Sequence, residues 1–419
     1  MELIRVIDNT EYCQQRLGFL KYLTWRCSSY GTTSLSTIGK DLVNTVSRKI
    51  LIPISKNIVD YINKKRNYEE IKTTEKVKSD KDKITLELQD AYLADNSIPS
   101  KTGKLLPYAW EKYPYLAISL GLVRKISYSL LGKGQLLINL TDENEIKAFK
   151  EYNPENNPLI IDEKQKFLFI FLFFRYDGDV IKPLYSKALE MKEFSNRSLG
   201  DYLADIYFKI AKESRTKVRS GDDIEKIQRL IDKAKILERW KGKPDTGSRT
   251  ARNKAIIVRI EPYVDLGLIE KKDPFLFHYQ ISESGYVIFS EFILSEKIED
   301  FLNNKFFSTC NHAFKYNAKK DLTDSNLIPL FLDSYNKLKG PLGYASIEDV
   351  LLLAGIKAIT EKRIYFELKE GENFLKDLQK KFPEQVRFNI DRMGKLTYIK
   401  FGSEFIYSIK SGRQWKGKI

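Results

Sequence analysis

The stretch VRIEPYVDLGLIEK, residues 258–271, runs an apolar helical segment into a Leu-Gly-Leu stop, a β-branched residue and a charged pair. The same order occurs upstream in YPYLAISLGLVRK, residues 113–125. Gly121 and Gly267 stand where each helix must end, because glycine takes the left-handed backbone conformation without a Cβ clash. Each copy is followed by a short run that closes in Thr or Ser with acidic neighbours: QLLINLTDENE (135–145) and FLFHYQISESGY (275–286). Such a run reads as a strand feeding a helix N-cap. The predicted order is therefore helix, glycine stop, strand, turn, strand and new helix, twice over.

This pattern resembles the winged-helix superfamily, whose third helix ends in such a turn before a two-stranded wing. A single Leu-Gly-Leu could arise at any helix-to-hairpin join; the repetition with matching downstream turns favours the family. The resemblance covers the residues around each copy and not the whole chain. It implies that the helix before the turn is a recognition helix with its N-terminal residues in a DNA major groove. In the second copy those residues are Ser248, Arg249, Thr250, Arg252 and Asn253, with Lys254 and Arg259 following. Arg249, Arg252 and Asn253 are three and four apart, so one helical face would present all three. Arginine can hold guanine and asparagine adenine by paired hydrogen bonds, whereas Ser and Thr suit phosphates. Ala255, Ile256, Ile260 and Val264 would seat the helix on its core. Pro262 departs from the pattern, since its missing N–H should kink or end the helix before the glycine. The competing reading is a basic surface helix with ordinary solvated charges.

The charge balance supports a polyanionic partner. The 419 residues carry 71 Lys plus Arg against 56 Asp plus Glu, a net charge of +15. Residues 215–259 alone hold fourteen basic and six acidic residues, a surplus of eight that includes Lys241 and Lys243. Clustering of this kind is the footprint of a phosphate-binding surface. The first copy offers Lys101, Lys104 and Lys112 near its helix start, where phosphate contact or packing is expected. Three cysteines that cannot pair evenly point to a reducing compartment. The longest apolar run, FLFIFLFF at 167–174, is too short to span a bilayer, and the start of the chain does not read as a secretory signal. A cytoplasmic protein without a membrane partner is the expectation.

Two further regions complete the predicted architecture. Residues 162–194 read as two helices around an Asp-Gly turn at Asp177 and Gly178, with Phe167, Ile170, Phe171 and Phe174 forming a core face. Near the C-terminus, NLIPLFLDSYNKL (326–338), SIEDVLLLAGI (346–356) and GENFLKDLQKKF (371–382) read as helices, and QVRFNI and LTYIKF as strands joined by DRMGK (391–395). The tail KSGRQWKGKI reads as a basic arm. Residues 1–150 would hold a helical region with the first unit, 151–300 the second unit with its basic insertion, and 301–419 a third. The fold class is mainly α with small β-hairpins, an α+β chain of tandem winged-helix domains.

A catalytic set is harder to assemble. His278 and His312 are the only histidines, Cys310 and His312 are too close-spaced for a zinc site, and no Walker-type phosphate loop occurs, so no cofactor is expected. Glu367 and Lys369, read as Glu-x-Lys on a strand, resemble half of the restriction-like nuclease motif, in which the acid binds a divalent metal. The nearest upstream acid, Asp349, falls on a predicted helix, which leaves that set incomplete. Tandem winged helices are similar in architecture to the recognition domains of type IIS restriction endonucleases. The expected function is a double-stranded DNA-binding recognition subunit, working with other protein subunits in a prokaryotic antiviral-defence or restriction-like system. A metal-dependent nuclease and a protein-interaction scaffold are the alternatives.

Overall fold

The computed structural model describes residues 4–8, 10, 16–30, 37, 109–125, 127, 129–150, 159–216, 221–243, 251–273 and 278–402. The fold within them is mainly helical with three small sheets. Helices are α1 (Leu17–Tyr30), α2 (Ala109–Ser119), α3 (Gly132–Leu140), α4 (Glu143–Lys150) and then the 28-residue α5 (Glu163–Glu190), numbered along the described residues. Asp162 opens α5 with a reciprocal cap: its carboxylate accepts from Gln165 N at 2.7 Å, while its own N–H donates to the Gln165 side chain at 3.1 Å. Phe167 through Phe174 are all fully buried, so this helix is apolar on every side and sits inside the core. Phe174 stacks on Phe292 at 4.2 Å between centroids, and Tyr185 on Phe289 at 3.8 Å.

The Asp-Gly pair does not turn the chain. Asp177 and Gly178 lie within α5, because both are used for packing. The Asp177 carboxylate accepts the Ile7 N–H at 2.8 Å and pairs with Arg259. A Cβ on Gly178 would stand 2.7 Å from Ile298 Cδ1, so only glycine admits that side chain.

Next come β1 (Phe194–Ser195), α6 (Asn196–Gly200), α7 (Leu203–Arg215) and α8 (Gly221–Glu238), followed by α9 (Ala251–Ile256), a 3-10 turn at Ile257–Arg259 and α10 (Glu261–Asp265). Pro262 acts as anticipated: the helix breaks at Ile260 (φ −120°, ψ −60°) and restarts with the proline in the first turn of α10, where no N–H is needed. Strands β2 (Ile269–Asp273) and β3 (His278–Ile281) form a sheet in the order β1-β3-β2, all antiparallel.

The two Leu-Gly-Leu segments are alike in detail. Gly121 and Gly267 have φ of 69° and 74°. Each passes its N–H to the residue three back, and the following leucine donates to the residue five back, at 2.9 Å from Leu122 to Ala117 and 2.9 Å from Leu268 to Tyr263. Leu131 N and Ser282 N then return to the carbonyls of those same leucines at 3.0 and 3.1 Å. The helix that follows is α3 in the first copy and α11 (Glu283–Leu294) in the second. Both carry glycine at their third position, and a Cβ on Gly134 or Gly285 would lie 2.1 or 1.9 Å from that leucine carbonyl.

The expected strand at 135–140 is therefore a helix. The β contact of the first copy is one element earlier, a single antiparallel bridge between Val123 and Leu130. Ser282 caps its helix as expected, accepting from Gly285 N at 3.0 Å, whereas in the first copy Thr141 closes α3 and Asp142 is the cap, accepting from Glu145 N at 3.0 Å.

The chain continues through α12 (Ile298–Asn304), α13 (Phe306–Ala313), β4 (Lys319–Lys320), α14 (Asp324–Leu338), β5 (Ala345–Ser346) and α15 (Ile347–Lys357). A π-helical turn at Ala358–Lys362 leads to β6 (Ile364–Tyr365), α16 (Leu368–Lys381) and the hairpin β7 (Val386–Ile390) and β8 (Leu396–Phe401). The C-terminal helices and hairpin match the sequence expectation. The sheet order here is β5-β8-β7, again first, third, second. Strand β4 pairs with β6 in parallel. A single cluster of buried apolar residues extends from Ile4 to Phe401. Among the described residues no helix is long and apolar enough to cross a membrane.

Candidate nucleic-acid interface

Of the residues expected to read DNA from the second unit, the described Arg252 and Asn253 are buried. Arg252 is 1% exposed; its guanidinium donates to Asp201 Oδ1 at 2.5 Å, Trp240 O at 3.0 Å and Lys243 O at 2.8 Å. It ties α9 to the turn after α6 and to the end of α8, with its stem against Gly200. Asn253 is buried as well, and Lys254 is half-buried.

Arg259 is fully buried. Its Nε lies 2.7 Å from Asp177 Oδ2, and its terminal nitrogens donate to Asp177 Oδ1 at 2.8 Å, Ala255 O at 2.6 Å and Ile7 O at 2.9 Å. Tyr185 donates to the Arg259 carbonyl at 2.5 Å. Burial opposes the charge on Arg259, but the Asp177 carboxylate outweighs it and holds the guanidinium protonated. Arg252, Asn253 and Arg259 thus serve the core; for Arg252 and Asn253 this corrects the exposed helical face expected from their spacing with Arg249, and for Arg259 the expected nucleic-acid contact. The cause is visible in the packing: Ala255 through Ile260 are all buried, so this segment runs inside the core.

Of the remaining candidates, Lys241 pairs with Asp205 at 2.9 Å on the surface, and Lys243 is exposed. Lys112 on α2 is half-buried. Ser248, Arg249, Thr250, Lys101 and Lys104 lie outside the described residues, as does the tail from 403.

A second buried network holds the start of α1 to α10. The Arg16 guanidinium lies 2.8 Å from Asp265 and 2.9 Å from Glu261; Lys271 reaches Glu261 at 2.9 Å, and Tyr279 donates to it at 2.6 Å. Burial pushes the Asp265 carboxyl up to about 7, against the pull of Arg16. Burial also acts on Glu261, yet Lys271 and Arg16 outweigh it and hold that carboxyl below its ordinary value.

Glu367 is not on a strand. Strand β6 ends at Tyr365, and Glu367 is the N-cap of α16. Its two carboxylate oxygens accept Phe307 N at 3.0 Å and Ser308 N at 2.7 Å, the free N–H groups at the start of α13. Burial pushes this carboxyl up, partly offset by those hydrogen bonds. Lys369 lies in the first turn of α16, 3.1 Å from Glu372. Asp349, on α15 as expected, pairs with Lys133 at 2.5 Å. Among the described residues no three His, Cys, Asp or Glu side chains are placed to hold a metal ion.

What the C-terminal unit does expose is one face of α16. Leu368, Gly371, Leu375 and Leu378 pack inward, which turns Lys369, Asn373, Lys376 and Lys380 outward at spacings of four, three and four. The lysine side chains are 48%, 39% and 78% exposed. Glu372 sits between Lys369 and Lys376, at 3.1 and 2.7 Å; burial opposes its charge, but those two hydrogen bonds hold its carboxyl low.

Beside this face runs a cleft of about 900 Å³ between α16 and β8, lined by Lys369, Lys376, Gln379, Lys395, Thr397 and Tyr398, with Arg175 and Glu348 at one end. The hairpin tip is rigid: Asp391 Oδ1 accepts from Met393 N and Lys395 N at 2.8 Å each, and Gly394 takes φ of 75°. Arg392, Met393 and Lys395 are exposed there. Asn373, Lys376 and Lys380 lie outside the expected site, and their helical spacing is the signal for them in the sequence. No protein-family model, no curated protein and no solved structure matches this chain.

Proposed function

We propose that the chain is a duplex-DNA-binding recognition subunit that docks through α16 and the β7–β8 hairpin of its C-terminal unit. The observation that carries this is the Lys369, Asn373, Lys376 and Lys380 stripe, exposed along a helix that stands beside a basic hairpin. A B-form major groove is about 12 Å wide and admits one helix, which leaves a neighbouring hairpin free to meet the backbone. Lysines supply phosphate and guanine contacts, and Asn373 can pair with an adenine edge.

Topology supports a winged-helix reading of the same region. The order helix, strand, helix, helix, strand, strand with a first-third-second sheet is found at α14 to β8 when the two-residue β6, which pairs with β4 outside that sheet, is set aside, and from α5 to β3 with α7 and α8 inserted and the third helix broken into α9 and α10. The second unit's third helix is buried, so DNA docking belongs to the C-terminal unit in this reading, and any chemistry on DNA belongs to a partner subunit.

The test is binding to a labelled duplex across a salt series, beside Lys369→Ala/Lys376→Ala/Lys380→Ala. Each lost phosphate contact flattens the slope of log K against log salt by about 0.9, so the triple variant should be shallower by up to about 2.7. Asn373→Ala should weaken discrimination among sequences more than affinity. Wild-type slope and affinity in the triple variant would sink the proposal.

A further inference from the structure

Three non-glycine residues among those described have a left-handed backbone: Lys315 (φ 56°), Asn317 (φ 56°) and Arg363 (φ 57°). They are neighbours, since Lys319 N donates to Arg363 O at 3.0 Å where β4 meets β6. Side chains with a Cβ resist this conformation, and it persists where surrounding contacts impose it, often at functional sites. Here the contacts are clear. Asn311 clamps Ala318 through both its amide atoms, at 2.9 and 3.0 Å, and the π-helical turn Ala358–Lys362 ends on Arg363.

The strained backbone places Arg363 over the Tyr316 ring, 5.1 Å from its centroid, and Tyr316 is fixed in turn by its hydroxyl on Glu163 at 2.5 Å. Arg363 is thus exposed yet held in position. Lys362 and Lys319, both exposed, flank it. The acids nearby are engaged elsewhere: Glu361 with Lys164 at 2.7 Å, Glu283 with Lys315 at 2.9 Å, Glu370 with Lys320 at 2.5 Å, and Asp321 with Thr323 N at 2.8 Å and the Asn326 amide at 2.6 Å. Lys319, Lys362 and Arg363 make no ion pair among the described residues. Lys320 also connects this patch to the first turn of α16 through Glu370.

We infer that Lys319, Lys362 and Arg363 form a second, preorganised phosphate-binding site that takes the backbone of the duplex read by α16. The inference rests on the DNA-binding reading above. A planar guanidinium stacked on a fixed ring loses little freedom when it meets a phosphate, whereas free lysines must be ordered first. The site carries no sequence information and sets register along the duplex.

The experiment compares the wild type, Lys319→Ala/Lys362→Ala/Arg363→Gly and the α16 triple variant on one labelled duplex across a salt series, with thermal unfolding of each. Glycine at 363 removes the left-handed strain, so the patch variant should unfold at the same temperature as wild type or higher. It should nevertheless bind at least about fivefold more weakly, with a slope shallower by about 2.7. Wild-type binding by the patch variant, with loss in the α16 variant, overturns this inference and leaves the α16 reading standing. Loss in the patch variant alone upholds the site and overturns α16 as the reader. Absence of binding by the wild type overturns both.

Discussion

Replacing Arg259 with alanine separates a core role from a DNA-binding role. The substitution deletes a guanidinium that neutralises Asp177 and satisfies the carbonyls of Ala255 and Ile7, all inside the protein. Asp177, 1% exposed, would keep only the Ile7 N–H, and its burial already pushes its carboxyl up. Removing one partner of a buried pair costs about 3 to 5 kcal/mol. With an urea slope of about 3 kcal/mol/M, the unfolding midpoint should fall by roughly 1 to 1.7 M. The loss should concentrate where the network is anchored. Residues 4–8 are bound to α5 through Asp177 and Asp179, so the amides of Arg5 and Ile7 should lose hydrogen-exchange protection in the variant. Arg259→Met with Asp177→Asn, which retains an acceptor for Ile7 N, should recover much of the stability. An Arg259→Ala protein with wild-type urea midpoint and amide protection but weakened duplex binding would refute the buried arrangement and restore the residue to the surface.

The Asp265 carboxyl has a folded pKa raised to about 7, so the native state binds its proton more tightly and stability from this group is lost as pH rises from about 4 to 7. Asp265→Asn should flatten the fall in urea midpoint between pH 5 and 8, and an unchanged profile would count against it. Gly285→Ala sets a Cβ 1.9 Å from Leu268 O and should cost more than the about 1 to 3 kcal/mol of ordinary overpacking; Gly221→Ala, with open space around it, should be neutral or mildly stabilising in the same melts. Glu367→Gln leaves one N–H at the start of α13 facing an amide group, and should destabilise by about 1 to 3 kcal/mol without a change in duplex affinity.

The legible parts of this sequence were those governed by local rules. Glycine stops at 121 and 267, the cap at Ser282, the break before Pro262 and the C-terminal hairpin follow from backbone preferences that operate within a few residues. The errors came where a distant partner decided the outcome. Asp177-Gly178 carries a turn signature, yet residues 4–8 and Ile298 reward a continuous helix there. Arg252 and Arg259 look like surface cations until Asp201 and Asp177 are seen to meet them. A cue was present: a charged residue on an otherwise apolar stripe requires a buried counter-charge, and an acid inside the apolar stretch 167–185 was the complement. Glu-x-Lys at 367 failed as a strand because Glu367 and Glu370 form a capping box, a signature within four residues that competes with alternation.

The net charge of +15 takes on a different meaning once those partners are known. Cations of the segment 215–259 are in part spent internally, on Asp177, Asp201, Asp205 and Asp8, so a count along the sequence overstates what that segment offers to a polyanion. The cations that remain useful are those whose nearby acids are already occupied. At the patch formed by Lys319, Lys362 and Arg363, every neighbouring glutamate is held by another group, whereas on α16 a phosphate must compete with Glu372 for Lys369 and Lys376 and with Asp377 for Lys380. The two surfaces should therefore differ in salt response: the patch acts through uncompensated charge and sets affinity, and α16 contributes less net charge and more shape and hydrogen-bonding specificity. That division predicts that Glu372→Gln, which frees Lys369 and Lys376, raises non-specific duplex affinity and steepens its salt slope while lowering discrimination between sequences. A fall in affinity for all duplexes would mean that Glu372 positions the helix and does not restrain it.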